Sequence, residues 1–316
     1  ALSALQQSWF FIRGTYMRGE RMSAAKNLRL YAVIVAYFPE EHALSSLVRS
    51  LVSQGCKGVV VFQNSLLSSA FMDEHSDACT FLGEGENLGL GTAINLSFDH
   101  LKSKGADAVF TFDQDSSLHE DFVQHMRAMY QGLTDKAIPF SAVVPRIVDR
   151  RSLDFEYILP EIQQKELPEG LKFLRIGLQS GMLINYETWW EHKFDGGLFI
   201  EYVDTEWCYR LGYEGRYLCL AEEAIMYHEV SDELPKKFLG FYFLKYSPVR
   251  RYYFFRNSIF LLRQSYVPAY FKLRILTAFA NRIVSMILFS DDRRRSFSLT
   301  VKGILHGLGS VKGPLL

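Results

Sequence analysis

Short apolar runs alternate with amphipathic stretches over the first part of this chain. Leu30 to Tyr37 (LYAVIVAY) is an apolar, partly β-branched run that stops at Pro39, which predicts a buried strand entering a loop. Ala43 to Gln54 places Leu44, Leu47, Val48 and Leu51 at helical spacing and is closed by Gly55. Gly58 to Phe62 (GVVVF) then predicts a second strand, completing a βαβ unit. A weak strand over Thr80 to Leu82, an amphipathic helix over Gly91 to Lys104 and a strand over Ala108 to Phe112 that stops at Asp113 continue the alternation. Such a pattern implies an α/β fold with a mostly parallel sheet. After Asp149 it gives way to a polar loop, a run from Phe173 to Asn185 with a Gly kink, and a helix near Asp204 to Leu211, so a mixed second half is expected.

Composition sharpens this reading. The chain has 316 residues, of which 48% are hydrophobic and 15% aromatic, too apolar for a disordered coil and sufficient for a large core. Its formal net charge is +0, but the charge is divided unevenly. From Phe241 to Leu316 there are 13 Lys or Arg and 2 Asp, 13 − 2 = +11, against 22 − 33 = −11 for the residues before. A basic, aromatic tail thus follows an acidic body. The four cysteines show no CxxC spacing, which fits a reducing compartment and argues against a zinc knuckle or a disulfide framework. The nearest approach to a spanning helix, Ile275 to Phe289, contains Asn281 and Arg282.

In an open parallel sheet, ligands bind at the carboxyl ends of the strands, where Ala36, Tyr37, Gln63, Asn64 and Asp113 all fall. Asp113-Gln114-Asp115 leaves an apolar strand, and hard carboxylate oxygens on a rigid edge suit Mg²⁺ or Mn²⁺, which keep positions open for substrate phosphates. Acidic residues there also start turns and cap helices, so both readings stand on the triplet alone. Asp204 and Glu206 (VDTEW) read either as first-turn acids of a helix or as a general base beside an acceptor. His228 reads as a structural histidine or a metal ligand. Gln179-Ser180-Gly181 is a tight turn or an acceptor-side loop, and Trp189 and Trp190 are core residues or an apolar wall for a pyranose ring.

The order VIVAYFPE, VVVFQNS, ENLGLGTAIN, FTFDQDS, LQSGMLIN, IEYVDTEWCYRLGYEG and His228 resembles that of glycosyltransferase family 2, and within it the bacterial rhamnosyltransferases. The resemblance covers roughly residues 30–229, and the tail (RYYFFRNSIFLLRQ, KGILHGLGSVKG) is also similar to the end of those enzymes. It implies a single nucleotide-binding domain of GT-A type, here residues 28–240, with inversion at the anomeric carbon. It implies that Ala36 and Tyr37 flank the base, that Asn87 and Gly89 approach the nucleoside and phosphates, and that Asp113, Asp115 and His228 form the metal site, with Asp115 a direct ligand. Asp204 matches the catalytic base, with Gln179, Ser180, Gly181, Trp190 and Glu206 on the acceptor side. Gln63 stands where the family usually has Asp, and its carbonyl can accept the pyrimidine N–H without a charge.

The implied activity is transfer of a sugar, rhamnose from dTDP-rhamnose, onto a lipid-linked or other oligosaccharide acceptor in cell-surface polysaccharide synthesis. A UDP-hexose donor and a non-catalytic sugar-nucleotide-binding relative are the alternatives. A nucleotidyltransferase would place a Gly-rich phosphate loop after its first strand, where this chain has AYFPEEHAL, and no nucleophile or second carboxylate–histidine set suggests a phosphatase. Residues 1–27 read as a mobile or membrane-touching extension, and residues 241–316 as a helical appendage whose Tyr, Phe and Arg residues suit a membrane interface. The expected location is therefore cytoplasmic, on the inner face of the cell membrane. No nucleic-acid-binding motif accompanies the basic tail, so no nucleic acid partner is expected.

Overall fold

A computed structural model describes residues 28–149, 161–162, 168, 170–228, 236–238, 241–243 and 246–315. The expected extension over residues 1–27 and most of the polar loop after Asp149 lie outside the described residues. In chain order the elements are β1 (Leu30–Ala36), α1 (Glu41–Ser53), β2 (Val59–Gln63), α2 (Ser69–Glu74), β3 (Cys79–Leu82), α3 (Leu90–Leu101), β4 (Ala108–Asp113) and β5 (Ser117–Leu118). They continue with α4 (Phe122–Asp135), β6 (Phe140–Val148), β7 (Phe173–Leu174), β8 (Met182–Asn185), α5 (Tyr186–Glu191), α6 (Val203–Tyr213) and β9 (Tyr217–Tyr227). A small antiparallel pair, β10 (Lys236–Phe238) and β11 (Phe241–Phe243), precedes α7 (Pro248–Leu262), α8 (Ala269–Phe289) and α9 (Arg293–Leu308).

The main sheet has the order β3-β2-β1-β4-β8-β6-β9-β5, with β7 also on β9. Its first four strands are parallel, as the βαβ alternation requires, and burial on both faces explains why the interior ones, β2, β1 and β4, are almost wholly apolar. The change of pattern after Asp149 corresponds to a change of direction. β8 runs antiparallel to β4 and β6, whereas β9 runs parallel to β6 and antiparallel to β5. The run from Phe173 to Asn185 is therefore two strands with different partners, and the loop between them crosses the carboxyl edge of β4.

Two apolar layers cover the sheet. Leu44, Leu47 and Leu51 of α1 and Phe122 and Met126 of α4 pack on one face with Phe110 and Phe112. Ile94 and Phe98 of α3, Trp189 of α5 and Trp207 and Leu211 of α6 fill the other. Trp189 is fully buried, its indole N–H donating to Asn95 Oδ1 at 3.0 Å, which makes it a core residue.

The basic tail is helical from Pro248 onward, as its periodicity predicts, but its start, Phe241–Phe243, is strand β11, and most of its aromatics turn inward rather than forming an interfacial belt. Tyr252, Tyr253, Phe254 and Phe255 of α7 and Phe271 of α8 are buried. Arg251 and Arg256, between those rings, are buried as well. Arg256 donates to the carbonyls of Gly197 at 3.0 Å and Leu198 at 2.8 Å, so α7 is built into the α/β body. Among the described residues no helix is long and apolar enough to cross a membrane.

Candidate active site

Three strand ends deliver the acidic cluster. β4 stops at Asp113, and the loop after it carries Asp115 before turning into β5. Because β5 pairs with β9 through Ser117 and Tyr227, the residue that follows β9, His228, arrives beside that loop. Its Nε2 lies 3.4 Å from Asp113 Oδ2 and its Nδ1 3.7 Å from Asp115 Oδ1. The imidazole is buried, while Asp115 and Asp113 keep 58% and 41% of their side chains exposed on the open side of the cluster.

β8 runs antiparallel to β4, which places the turn before it, Gln179-Ser180-Gly181, at the same edge. Ser180 Oγ accepts from the Asp113 backbone N–H at 3.0 Å and is 2.7 Å from Ser116 Oγ, clamping both ends of the acidic loop. Gly181 has φ +84°, and a β-carbon there would come within 2.7 Å of Pro145 Cγ, so the turn needs glycine. Gln179 joins the two halves of the site. Its Nε2 donates to Asp113 Oδ1, and its backbone N–H donates to Asp204 Oδ2 at 3.3 Å.

Asp204 stands in the first turn of α6, where its Oδ1 also accepts from the Thr205 N–H at 2.6 Å and hydroxyl at 3.2 Å. Burial nevertheless dominates and pushes its pKa up to about 6, with the Asp113 charge adding to the rise and the Thr205 and Gln179 hydrogen bonds opposing it. Burial also raises the pKa of Asp113, against the attraction of His228, while neighbouring Asp115 raises it further. A carboxylate poised near neutrality beside a pair of crowded acids is an arrangement suited to proton removal.

Several expected donor contacts are instead satisfied within the protein. Gln114 Oε1 accepts from the Tyr37 N–H at 2.7 Å and its Nε2 donates to the Tyr37 carbonyl at 3.2 Å, a clip between the loops after β1 and β4. Gln63 accepts from the Leu67 N–H at 3.2 Å and donates to the Gly83 carbonyl at 3.3 Å, so its amide is held by the neighbouring loops with one acceptor position of its carbonyl in use. Asn64 accepts from the Leu88 N–H at 3.0 Å, and Asn87 from the Gly89 N–H at 3.0 Å, so both shape the loop before α3. Gly89 is demanded by the protein, since a β-carbon there would meet the Phe199 carbonyl at 2.6 Å. Ala36 is buried, leaving Tyr37 and the neighbouring Phe38, 50% and 75% exposed in edge-to-face contact, as the apolar rim above the strand ends. Phe38 has φ +48°, a backbone signal that the sequence does not display.

Two acceptor-side residues do not join the site. Glu206 is 2% exposed, and its carboxylate accepts from Arg210 at 2.8 and 3.0 Å and from Tyr266 at 2.7 Å, an internal pair that ties α6 to the loop before α8. Trp190 lies in α5, beyond the last residue of β8 and so at the opposite end of the strands, where Lys102 Nζ sits 3.8 Å from its ring centroid. The 12 residues of α3 separate Lys102 from Gly89 by about 18 Å. Antiparallel β8 enters the site at its first residues and leaves it by its last.

No single group of three or more His, Cys, Asp or Glu side chains among the described residues is a ready metal cage. The donors nevertheless fit a cation held by few protein ligands. His228 Nδ1 and Gln179 Oε1 are buried without a hydrogen-bond partner, and both belong to residues in contact with the acidic pair.

No family model matches the chain. It is 28% identical over 298 residues to the dTDP-rhamnosyl transferase RfbF of Shigella flexneri, covering 91% of this chain and 97% of that protein. Residues 1–349 of S. aureus TarS, solved with UDP-GlcNAc, superpose with a TM-score of 0.55 at 12% identity, over 90% of this chain and 82% of that one. The chain has the GT-A glycosyltransferase fold. The same TarS segment with UDP gives a TM-score of 0.53 at 14% identity, over 89% of this chain and 81% of that one. The longer TarS structure gives 0.53 at 14% identity, and there the match takes in 90% of this chain but 48% of TarS, about half its length.

Proposed function

We propose that this chain is an inverting glycosyltransferase that takes its sugar from a nucleotide-sugar donor. The carrying observation is the Gln179 bridge, which couples Asp204 on α6 to the Asp113–Asp115–His228 cluster at the carboxyl edge of the parallel strands. Similarity over nearly the whole chain to a dTDP-rhamnosyl transferase supports rhamnose as the sugar and dTDP-rhamnose as the donor.

In this reading the acceptor hydroxyl lies against Asp204, which removes its proton as the oxygen attacks the anomeric carbon. The bond from that carbon to the diphosphate breaks on the opposite face, so a new glycosidic bond forms with inversion and the nucleoside diphosphate leaves. Asp115, Asp113 and His228 would hold Mg²⁺ or Mn²⁺, which when bound supplies positive charge to the departing diphosphate. Tyr37 and Phe38 offer exposed rings on which the base would stack.

The test is a panel of nucleotide sugars, dTDP-rhamnose and UDP-GlcNAc included, assayed for nucleoside diphosphate release with Mn²⁺, with Mg²⁺ and with chelator. Metal-dependent release from dTDP-rhamnose, abolished in Asp115→Ala without loss of the thermal transition, is the expected result. Turnover in Asp115→Ala with metal chelated would refute the metal site, and absence of release from every donor would refute the enzymatic reading.

A further inference from the structure

The last helix carries its large apolar residues on the side that a protein normally gives to water, and α8, which buries Phe271, Ile275 and Met286, exposes a second set beside it. On α9 the buried positions are Ser296, Thr300, Gly303 and Gly307. This small face lies so close to α7 that a β-carbon at Gly303 would meet the Tyr252 carbonyl at 2.5 Å. The large residues Phe297, Val301, Leu305 and Leu308 point outward, Leu305 with 61% of its surface exposed. On α8, Leu273, Leu276, Ile283 and Ile287 recur at helical spacing and are likewise exposed. A helix packed through its small residues and open through its aliphatic ones presents a face that needs an apolar neighbour.

Charge decides which neighbour. Arg293, Arg294 and Arg295 fill the exposed first turn of α9 and make no ion pair among the described residues. Asp292 caps that end, its carboxylate accepting the Arg295 N–H at 2.9 Å, and the three exposed cations that follow stand against the helix dipole and gain from a further, external anion. From Ala269 to Leu308 seven Lys or Arg residues face two Asp, 7 − 2 = +5. A second copy joined through this face would meet the same acid-poor surface, with too few carboxylates to answer it. Anionic headgroups above acyl chains answer both the arginines and the aliphatic stripe.

We infer that the outer face of α8 and α9 docks into the interface of an anionic lipid bilayer, with the aliphatic stripe at the headgroup boundary and Arg293 to Arg295 on headgroup phosphates. The helices lie in the surface and do not span it, consistent with their interrupted hydropathy. The inference does not depend on the sugar-transfer chemistry and is tested without it.

The full chain is floated with phosphatidylcholine vesicles, with or without phosphatidylglycerol, at low and high salt, and its mass in solution is measured in parallel by sedimentation. Binding to the phosphatidylglycerol vesicles that weakens with salt is expected. Changing Arg293, Arg294 and Arg295 together to Gln should weaken it by about 10², each charge at the surface contributing roughly tenfold or less. Ile287→Gln with Leu305→Gln should weaken it about tenfold or more while leaving the thermal transition unchanged, since both side chains are exposed. Failure to float with phosphatidylglycerol vesicles at low salt would overturn the inference. So would binding that ignores Ile287→Gln with Leu305→Gln, or a dimer dissociated by Leu305→Gln in place of lipid binding.

Discussion

In the proposed reaction, Asp204 ties stability and activity to one pKa. Its pKa is about 6 in the folded chain against an ordinary 3.8, because the turn that buries it also removes water. A carboxyl group raised on folding contributes fully below its unfolded pKa, and the contribution is lost as pH rises through about 6. Asp204→Asn should therefore stabilise the protein at pH 7 to 8, by about 1–3 kcal/mol after allowing for partial exposure, with the gain vanishing at acid pH. The same substitution should cost about 10² to 10⁴ in kcat with donor affinity kept, and the wild-type kcat/KM should fall tenfold per unit on the acid side of about pH 6. Thermal melts and rate profiles across that range check both, and an unaltered rate in Asp204→Asn would remove it as the base. Glu206→Gln should behave differently. It breaks a buried pair with Arg210 and so lowers stability by about 3 kcal/mol without a matching loss in donor specificity, read from melts beside KM values. Tyr37→Ala should raise the donor KM about tenfold with kcat little changed, if the exposed ring stacks on the base.

At the scale of elements, the position of Asp204 depends on a strained loop and on the helix that braces it. Phe199, Glu201 and Tyr202 all have positive φ, at 65°, 64° and 66°, immediately before α6. Each such non-glycine residue costs on the order of 1–3 kcal/mol, which the surroundings must offset. The brace is α7, where the Asn257 side-chain amide donates to the carbonyls of Leu198 at 2.9 Å, Ile200 at 2.7 Å and Glu201 at 2.8 Å. The same loop fills the space above Gly89, since the Leu90 N–H donates to the Phe199 carbonyl at 2.6 Å. Asn257→Ala should take the side-chain donor from the Ile200 and Glu201 carbonyls, while Leu198 keeps Arg256, lowering stability by about 2–4 kcal/mol and letting the loop relax away from its strained form. The expected signature is a fall in kcat larger than the change in donor KM, together with a lower thermal midpoint. A variant that is destabilised but catalytically intact would show that the loop orders the fold alone.

Across the whole molecule, the tail that composition marks as an appendage is inseparable from the body. Tyr252, Tyr253, Phe254 and Phe255 are each at most 1% exposed, and burying such side chains is worth about 1.5–3 kcal/mol apiece. That sum is comparable to the entire stability of a domain, so truncation before Tyr246 should abolish a cooperative thermal transition, as calorimetry of the shortened chain would show. Periodicity was enough to determine β1, β2, β4, α1 and α3, because parallel strands buried on both faces and their amphipathic crossovers leave an unmistakable local pattern. As candidates, the acidic pair and His228 stand out in the sequence because they follow apolar runs, whereas Asp204, in the first turn of a helix, stands out through its place in the order of motifs. What only the tertiary structure decided is which polar groups remain free to act. Gln114 and Glu206 are chemically able to serve a ligand, yet partners 4 to 77 positions away in the chain already occupy them. Trp190 leaves the site because β8 runs antiparallel to β4, and the aromatics of α7 are buried where α9 packs close through small residues. Strand direction and helix facing depend on long-range packing, and a one-dimensional pattern of polarity carries no record of either.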